Sequence, residues 1–270
     1  SKCKCFSHAL LCFNITSLNT MSLFKPISRP TLRYLKVNFH QELTVDAFSH
    51  FSKLLYLDIS ESELKLLCPI INDWPPNSKQ PLGQSFFHSM SKLVSLVAND
   101  NLFNEIRSFC FYGLWSLQDL VLNKNEIYHI EKYAFTGLYS LSVLNLSSLS
   151  IKYIDGFAFL GMTSLAIIDL SENDIRKLCD YVFYNLTELE SLDLRRNPLS
   201  YLCPKALIGL QKLQSVYSEF KSMCCFTWQT QQCSTKYLET LCRNLIPFSV
   251  LRQSRRNDFA FRRTKCPTKI

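Results

Sequence analysis

The chain has 270 residues, of which 47% are hydrophobic and 13% aromatic, so it can bury a sizeable core and is not a disordered tail. Its formal net charge of +8 comes mostly from the segment 252–269, which leaves the rest of the chain close to neutral. Nucleic-acid-binding domains carry a basic face spread over the fold, so this charge pattern argues against a nucleic-acid partner.

Residues 1–31 are expected to form a partial N-terminal cap. The stretch CKCFSHALLC (3–12) has the spacing C-x-C-x6-C. It resembles the N-terminal cysteine cap of extracellular leucine-rich repeat proteins, a cap that usually has one more cysteine upstream. The resemblance implies that Cys3 pairs with Cys12 and that Cys5 lacks its partner. Because that cysteine and a signal peptide are both missing, we expect a fragment of a longer secretory protein.

Two early repeats follow the cap, LRYLKV (32–37) and LLYLDI (54–59). The next one begins at Leu93, so the chain inserts about fifteen residues beyond one 24-residue period. The excess lies in CPIINDWPPNSKQPLGQ (68–84), whose Pro and Asn content predicts a surface loop. This loop either contacts a ligand or is a tolerated insertion, and loop-closure entropy favours the second interpretation.

Between 93 and 213 a regular repeat dominates the sequence. Leucines recur every 24 residues, at 93, 117, 141, 165, 189 and 213. Each block follows L-x-x-L-x-L-x-x-N-x-L, and a phenylalanine recurs later in the block at 111, 135, 159 and 183, replaced by Leu207 in the last. The pattern resembles the leucine-rich repeat family, and residues 32–212 are assigned to the repeats.

The spacing predicts the fold. In each block the L-x-L alternation is a short strand whose leucines face inward. The asparagines at 101, 125, 173 and 197 lie where the strand turns away, so their amides can bond the neighbouring coil, and Leu149 predicts a weaker ladder in one block. The later phenylalanines are expected to form a spine on the convex side. We therefore expect an α/β horseshoe: parallel strands on the concave face, an irregular or short-helical convex side, and cysteine caps at both ends.

Cysteine usage points to an oxidising compartment. The chain has 12 cysteines, clustered at its two ends, with Cys224, Cys225, Cys233 and Cys242 at the back. A zinc site is the weaker alternative for the rear cluster, because its spacings do not match those of zinc ligands. Three sequons, at Asn14, Asn145 and Asn185, are consistent with the secretory route.

The internal cysteines share repeat positions. Cys179 and Cys203 would be neighbours in adjacent turns, about 5 Å apart, and therefore within disulfide reach. Two free, half-buried thiols are the favoured alternative. A bond between Cys68 and Cys110, which would tie down the insertion, is a further hypothesis.

Residues 213–252 carry a second resemblance. The run SVYSEFKSMCC, followed by x7-C, x8-C and RNLIPFSVLR, resembles the hinge before the first membrane helix of leucine-rich-repeat G-protein-coupled receptors, relaxin-receptor type. The resemblance implies a C-terminal cysteine cap built by Cys224, Cys225, Cys233 and Cys242. Residues 253–270 depart from that family because they are basic and polar, and we expect a disordered tail there.

No catalytic constellation, phosphate loop or metal-spaced ligand pair is recognisable in the sequence, and the five histidines are scattered. We therefore expect no enzyme activity, no cofactor and no metal site. Recognition remains as the function class.

The outward strand positions form the candidate ligand-binding surface. Aspartates among apolar side chains would suit a ligand that carries Arg or Lys and an apolar group; alternatively, they are ordinary solvated strand residues. A glycan on Asn145 would obstruct part of this surface. The candidate residues are Tyr34, Tyr56, Asp58, Asp119, Val121, Asn145, Ile167, Asp169, Asp193 and Arg195.

Two functions stay open. The first is the peptide-hormone-binding ectodomain of a G-protein-coupled receptor, which the second resemblance implies; a G protein would then act only through a missing transmembrane half. The second is a secreted or membrane-tethered adhesion or immune recognition protein. Both place the chain outside the cell, with a basic peptide or protein as the expected ligand.

Overall fold

The computed structural model describes residues 2–6, 8–15, 32–39, 48, 51–68, 86–203 and 205–219. These residues form a parallel-strand solenoid of about seven turns, as the 24-residue repeat predicts. The part of the insertion after Cys68, the rear cysteine cluster and the basic tail lie outside the described residues.

One short strand from each turn builds the concave face. The central residue of each repeat strand is apolar and buried, for example Leu96, Leu144 and Leu192, each with 0% of its surface exposed. Every neighbouring pair that is hydrogen-bonded after the first strand is parallel. These strands are β2 (Ala9–Ile15), β3 (Tyr34–Phe39), β4 (Tyr56–Asp58), β5 (Ser95–Val97), β7 (Asp119–Val121), β9 (Val143–Asn145), β11 (Ile167–Asp169), β13 (Ser191–Asp193) and β15 (Ser215–Tyr217).

An N-terminal hairpin closes one end of this sheet. Strand β1 (Lys2–Cys5) runs antiparallel to β2, with Cys3 opposite Cys12, and the two cysteines form the disulfide that the family resemblance implies. Strand β2 then pairs in parallel with β3. The sequence predicted the cap but not that its second strand is also the first strand of the solenoid sheet.

A second set of two-residue strands runs along the flank of the solenoid. They form a three-stranded sheet in the order β10-β8-β6 and a two-stranded sheet of β12 and β14. Their second residue is buried, and their first residue faces outward. These strands are β6 (Glu105–Ile106), β8 (His129–Ile130), β10 (Tyr153–Ile154), β12 (Lys177–Leu178) and β14 (Tyr201–Leu202).

The convex side is irregular. The described residues contain no helix, so of the two expected forms the irregular one is present, and the α/β description does not apply to this part of the chain. Single turns with i to i+3 hydrogen bonds replace helices, as where the Leu138 amide donates to the Phe135 carbonyl at 3.3 Å. Gly137, at φ 111°, is the third residue of this turn and adopts a conformation that favours glycine.

The predicted phenylalanine spine fills the interior behind the strands. Phe111, Phe135, Phe159 and Phe183 are each fully buried, and their rings stack with centroids 5.3 to 5.7 Å apart. Phe87 extends the stack by one turn at 6.4 Å. Because each ring packs on the rings of the turns before and after it, the spine couples consecutive turns.

The asparagine ladder is also confirmed. In Asn173, which is 5% exposed, Nδ2 donates to the carbonyls of Leu146 (2.8 Å) and Leu170 (2.9 Å). Its Oδ1 accepts from the amides of Leu149 (3.1 Å) and Ile151 (2.9 Å). Asn101, Asn125 and Asn197 make equivalent bonds in their own turns. Each amide thus joins two turns of backbone.

The ladder is interrupted at Leu149, as predicted. Leu149 is buried and apolar, so it cannot join Leu122 to Leu146 as an asparagine there would. Among the described residues the amide of Ile127 has no hydrogen-bond acceptor, and strands β7 and β9 are not hydrogen-bonded to each other. We call this interruption the β7–β9 seam. The flank strands β6, β8 and β10 and the phenylalanine stack continue across it.

Candidate ligand-binding face

The outward residues of the concave strands form two parallel rows. Strand register aligns Tyr34, Tyr56, Ser95 and Asp119 in the first row, and Lys36, Asp58, Val97 and Val121 in the second. Beyond the seam the rows continue with Val143, Ile167, Ser191 and Ser215, and with Asn145, Asp169, Asp193 and Tyr217. All ten predicted ligand-binding residues therefore lie on one face; nine belong to the two rows, and Arg195 follows β13.

The N-terminal end of the face is already paired internally. The Tyr34 and Tyr56 rings stack at 4.6 Å, and Lys36 Nζ lies 2.8 Å from Asp58 Oδ2. The hydrogen bond to Asp58 raises the pKa of Lys36, although burial opposes the shift. Asp58 is only 6% exposed and also accepts from the hydroxyl and amide of Ser60. Asp58 is thus a poor candidate for direct ligand contact in this conformation.

The middle of the face combines exposed apolar groups with open carboxylates. Val143 is 51% exposed and Ile167 is 42% exposed, although both are aliphatic. The Asp119 side chain is exposed and has no hydrogen-bond or ion-pair partner among the described residues. Asp169 lies beside Asn145, and its Oδ1 accepts only from the amide of Ser171 (2.9 Å). This region offers aliphatic surface and carboxylates, the two contacts that suit a ligand with an apolar side chain and a Lys or Arg.

The C-terminal end is again paired. Arg195 Nε lies 3.0 Å from each carboxylate oxygen of Asp193, and the Arg195 guanidinium lies 5.1 Å from the Tyr217 ring centroid. Burial acts to raise the pKa of Asp193, but the hydrogen bonds from the Arg195 side chain and amide outweigh it, so this pKa is lowered. Of the four aspartates in the rows, only Asp119 and Asp169 therefore lack a cation partner among the described residues.

The three sequons lie in different environments. Asn145 is exposed on β9, and Asn185 is exposed on the convex side at φ 65°. In neighbouring turns the position of Asn185 is occupied by Gly161 and Gly209, which also have positive φ. Asn14 lies in β2, and its side chain is outside the described part of the chain.

The described cysteines support the predicted oxidising environment. Besides Cys3–Cys12, a disulfide joins Cys68 and Cys110, which ties the beginning of the insertion to the next turn. Cys179 and Cys203 are free thiols, as the favoured hypothesis predicts, and burial raises the pKa of Cys203 to about 11. The pairings of Cys224, Cys225, Cys233 and Cys242 fall outside the described residues and stay predictions.

The sequence analysis missed an aromatic cluster on the convex side. Phe109, Tyr133, Phe157 and Tyr181 recur every 24 residues with φ of 58° to 64°, and their rings lie in a row along the solenoid with centroids 5.1 to 6.3 Å apart. The same 24-residue period was the available signal. Their left-handed backbone was not predictable, because bulky residues rarely adopt positive φ.

The Phe157 amide donates to the Tyr181 carbonyl at 2.9 Å, and the other three corners make the same bond to the next turn. This main-chain ladder holds the strained corners in place.

Repeating inward leucines, a ladder of asparagines and a concave parallel sheet define the class: a leucine-rich repeat solenoid. The sequence matches the BspA type leucine-rich repeat region, in six copies, over residues 68–189 and 104–224. These matches cover more than half of the chain, which therefore belongs to that family. No curated protein matches the chain.

Solved structures share the same fold. The TLR13–ssRNA13 complex matches with TM-score 0.61 and 25% identity, over 82% of this chain and 30% of that one. The mouse RP105/MD-1 complex matches with TM-score 0.50 and 20% identity, over 72% of this chain and 32% of that one. The chain thus spans about a third of the length of these structures. The Drosophila Toll–Spatzle complex is a further match, at TM-score 0.48 and 19% identity, covering 69% of this chain and 23% of that one.

The part of the chain that the structure describes includes no helix of the length and apolarity that a membrane span requires.

Proposed function

We propose that this chain is an extracellular recognition module of the adhesion or innate-immune type, which binds a polypeptide ligand on its concave face. The observation that carries the proposal is the N-terminal part of that face, where the carboxylate of Asp119, which has no partner among the described residues, lies next to the outward, partly exposed side chains of Val97 and Val121. An aliphatic surface beside a carboxylate without a cation partner suits a polypeptide that presents an apolar side chain next to Lys or Arg.

The extracellular location is supported by the disulfides Cys3–Cys12 and Cys68–Cys110. Such bonds persist in oxidising compartments and are rare in the cytosol. The leucine-rich repeat scaffold is typical of recognition proteins and supplies no catalytic group of its own. The similar structures TLR13–ssRNA13 and RP105/MD-1 are both complexes with a partner, and this supports recognition as the function class.

The sign of the charge favours a polypeptide over RNA. TLR13 is in complex with a single-stranded RNA, so the expected exclusion of nucleic acid receives no support from the comparison. On this concave face, however, Asp119 and Asp169 lack cation partners, whereas Lys36 and Arg195 already contact aspartates. An RNA backbone needs unpaired cations to replace its counterions. A ligand that presents Lys or Arg beside an apolar side chain fits better.

A binding experiment can separate these ligands. The chain, secreted by animal cells and immobilised, is exposed to conditioned medium and, separately, to a synthetic single-stranded RNA. The Val121→Glu variant is compared with Tyr153→Glu, because Val121 faces outward on the concave strand β7, whereas Tyr153 is 63% exposed on the flank. We expect a secreted polypeptide to bind, with at least tenfold weaker affinity for Val121→Glu and unchanged affinity for Tyr153→Glu, since about 1.4 kcal/mol at one contact is tenfold. RNA binding without a polypeptide ligand, or equal loss in both variants, would contradict the proposal.

A hormone-binding ectodomain of a G-protein-coupled receptor is the second candidate. It rests on the SVYSEFKSMCC resemblance, of which only Ser215–Glu219 lies within the described residues; there β15 pairs with β13. Sequencing the transcript upstream and downstream of this open reading frame decides between the receptor ectodomain and the adhesion or immune protein. Seven apolar spans after residue 252 would establish the receptor, whereas a stop codon, a single span or a lipid-anchor signal would favour the adhesion or immune protein.

A further inference from the structure

The concave face carries a sequon at its centre, Asn145-Leu-Ser, on strand β9 beside the seam. We infer that Asn145 carries an N-linked glycan whose first sugars cover Val143 and Ile167 and divide the concave face into two separate binding regions. The inference rests on the proposed extracellular location, because only the secretory route supplies the sugar donor.

The amide nitrogen of Asn145 is available for this bond. Oδ1 of Asn145 accepts from the amide (2.9 Å) and the hydroxyl (2.7 Å) of Ser147, while Nδ2 donates no hydrogen bond among the described residues. Asn173, only one turn further on, differs in this respect. Its Nδ2 is buried and donates to the carbonyls of Leu146 and Leu170. A glycan on Nδ2 of Asn145 therefore projects from the folded face without breaking any hydrogen bond of that nitrogen.

N-glycosylation of Asn145 is a group transfer in which one bond forms and one bond breaks. Nδ2 loses one proton and forms a bond to C1 of N-acetylglucosamine. The bond from C1 to the pyrophosphate oxygen of a lipid-linked oligosaccharide breaks, and that oxygen keeps the bonding electrons. The lipid-linked oligosaccharide is the only co-reactant, the lipid pyrophosphate leaves and takes up the released proton, and no oxidant or reductant is needed.

The neighbours of Asn145 explain what the glycan would cover. Val143 precedes it by two residues in the same strand, and Asp169 is its register partner on β11. Ile167 is the register partner of Val143. Adjacent strands lie about 4.8 Å apart, so the first sugar ring spans the distance to both aliphatic side chains. Their exposures of 51% and 42% are the surface that an attached sugar can bury.

The consequence is a divided face. On the N-terminal side of the glycan lie the rows that run from Tyr34 to Val121, including the open carboxylate of Asp119. On the C-terminal side lies the Asp193–Arg195 pair. A polypeptide that contacts both sides would have to bridge the sugar, so we expect the ligand to bind mainly to the N-terminal rows. A glycan on Asn185 would have no such effect, because Asn185 is on the convex side.

The test compares two matched variants of the chain secreted by animal cells. Ser147→Ala and Thr187→Ala each remove one sequon and leave Asn145 and Asn185 in place. Intact-mass analysis should show the loss of one glycan in Ser147→Ala. Hydroxyl-radical oxidation at Val143 and Ile167, read by peptide mass spectrometry, should then rise roughly threefold as these side chains regain water contact. Thr187→Ala should leave that oxidation unchanged.

Complete removal of the glycan from the secreted protein by an amidase, which leaves aspartate at position 145, gives the same comparison, should Ser147→Ala fail to be secreted. An unoccupied Asn145 in the secreted chain, or equal oxidation of Ile167 with and without the glycan, would overturn the inference. None of these measurements uses a ligand, so they are independent of the binding experiment. If the glycan is confirmed and no polypeptide binds, the proposed function is refuted while the inference about the glycan stands.

Discussion

Replacing Asn173 by leucine, the residue found at the equivalent position 149, isolates the energy of one step of the asparagine ladder. Asn173 is 5% exposed and connects the carbonyl of Leu146 to the amides of Leu149 and Ile151. The Asn173→Leu variant removes these bonds while it keeps a side chain of similar volume. The hydrophobic interior is thereby preserved, and the polar backbone groups lose their partner.

The magnitude follows from counting the groups left without a partner. The carbonyl of Leu170 still accepts from Asn197 Nδ2 at 2.8 Å, so it stays satisfied. Three buried groups remain: the carbonyl of Leu146 and the amides of Leu149 and Ile151. At about 1–2 kcal/mol each, these groups cost about 3–6 kcal/mol, and burying the leucine offsets about 2 kcal/mol, so the net loss is about 1–4 kcal/mol.

Urea denaturation followed by circular dichroism measures this loss, and hydrogen exchange locates it at the amides of Leu149 and Ile151. The control is Asn123→Ala, two turns earlier, because Asn123 is exposed and its side chain makes no hydrogen bond among the described residues; its loss should stay below about 0.5 kcal/mol. If Asn173→Leu costs less than about 1 kcal/mol and both amides stay protected, the ladder does not stabilise the solenoid as argued.

Three further predictions address the seam, the thiols and the C-terminal ion pair. Leu149→Asn should restore the ladder and slow hydrogen exchange at the Ile127 amide, whereas unchanged exchange would show that the seam has another cause. Because burial raises the pKa of Cys203 to about 11, its alkylation at pH 8 should be roughly 100-fold slower than that of a free cysteine and should accelerate up to pH 11; a plateau near pH 9 would refute this. The pKa of Asp193 is lowered by Arg195, so this pair stabilises the fold above the unfolded pKa of about 3.9, and the stabilisation is lost as the pH falls through the folded value. In Arg195→Gln the free energy of unfolding, measured by circular dichroism, should therefore fall less steeply as the pH is lowered into the acid range. An identical pH dependence in both proteins would contradict the pairing.

Much of the fold could be predicted because the same burial pattern repeats in turn after turn. Leu120, Leu144 and Leu192 point inward, Phe111 starts the predicted stretch of the spine, and Asn125 bonds the coil, each as its sequence position predicts. A single leucine would have been ambiguous. Five in-phase copies exclude other periods, since one register satisfies all of them.

The N-terminal hairpin and the flank strands were not predictable from the same signal. Strand β2 lies outside the 24-residue repeat, so the repeat does not predict it. A two-residue strand such as β8 is too short to give a recognisable sequence pattern. Positive φ at Tyr133 contradicts its intrinsic preference and is held by a hydrogen bond to the Phe157 carbonyl. Local propensity fails there because tertiary contacts determine the backbone.

For the candidate site, the sequence predicted which residues face outward but not which of them are already paired. Asp58 and Asp119 occupy similar outward strand positions, yet Asp58 is bound by Lys36 and Asp119 is open. The difference depends on the cation that the adjacent strand happens to supply, and the repeat consensus does not specify that residue.

The most direct test of recognition by the concave face is hydroxyl-radical footprinting of the chain with and without the polypeptide captured in the binding experiment. The account predicts protection of Val121 and of neighbouring residues in the rows, with no change at Tyr139 and Tyr184, which are exposed away from the concave strands. Protection of Tyr139 and Tyr184 with Val121 unchanged would contradict it.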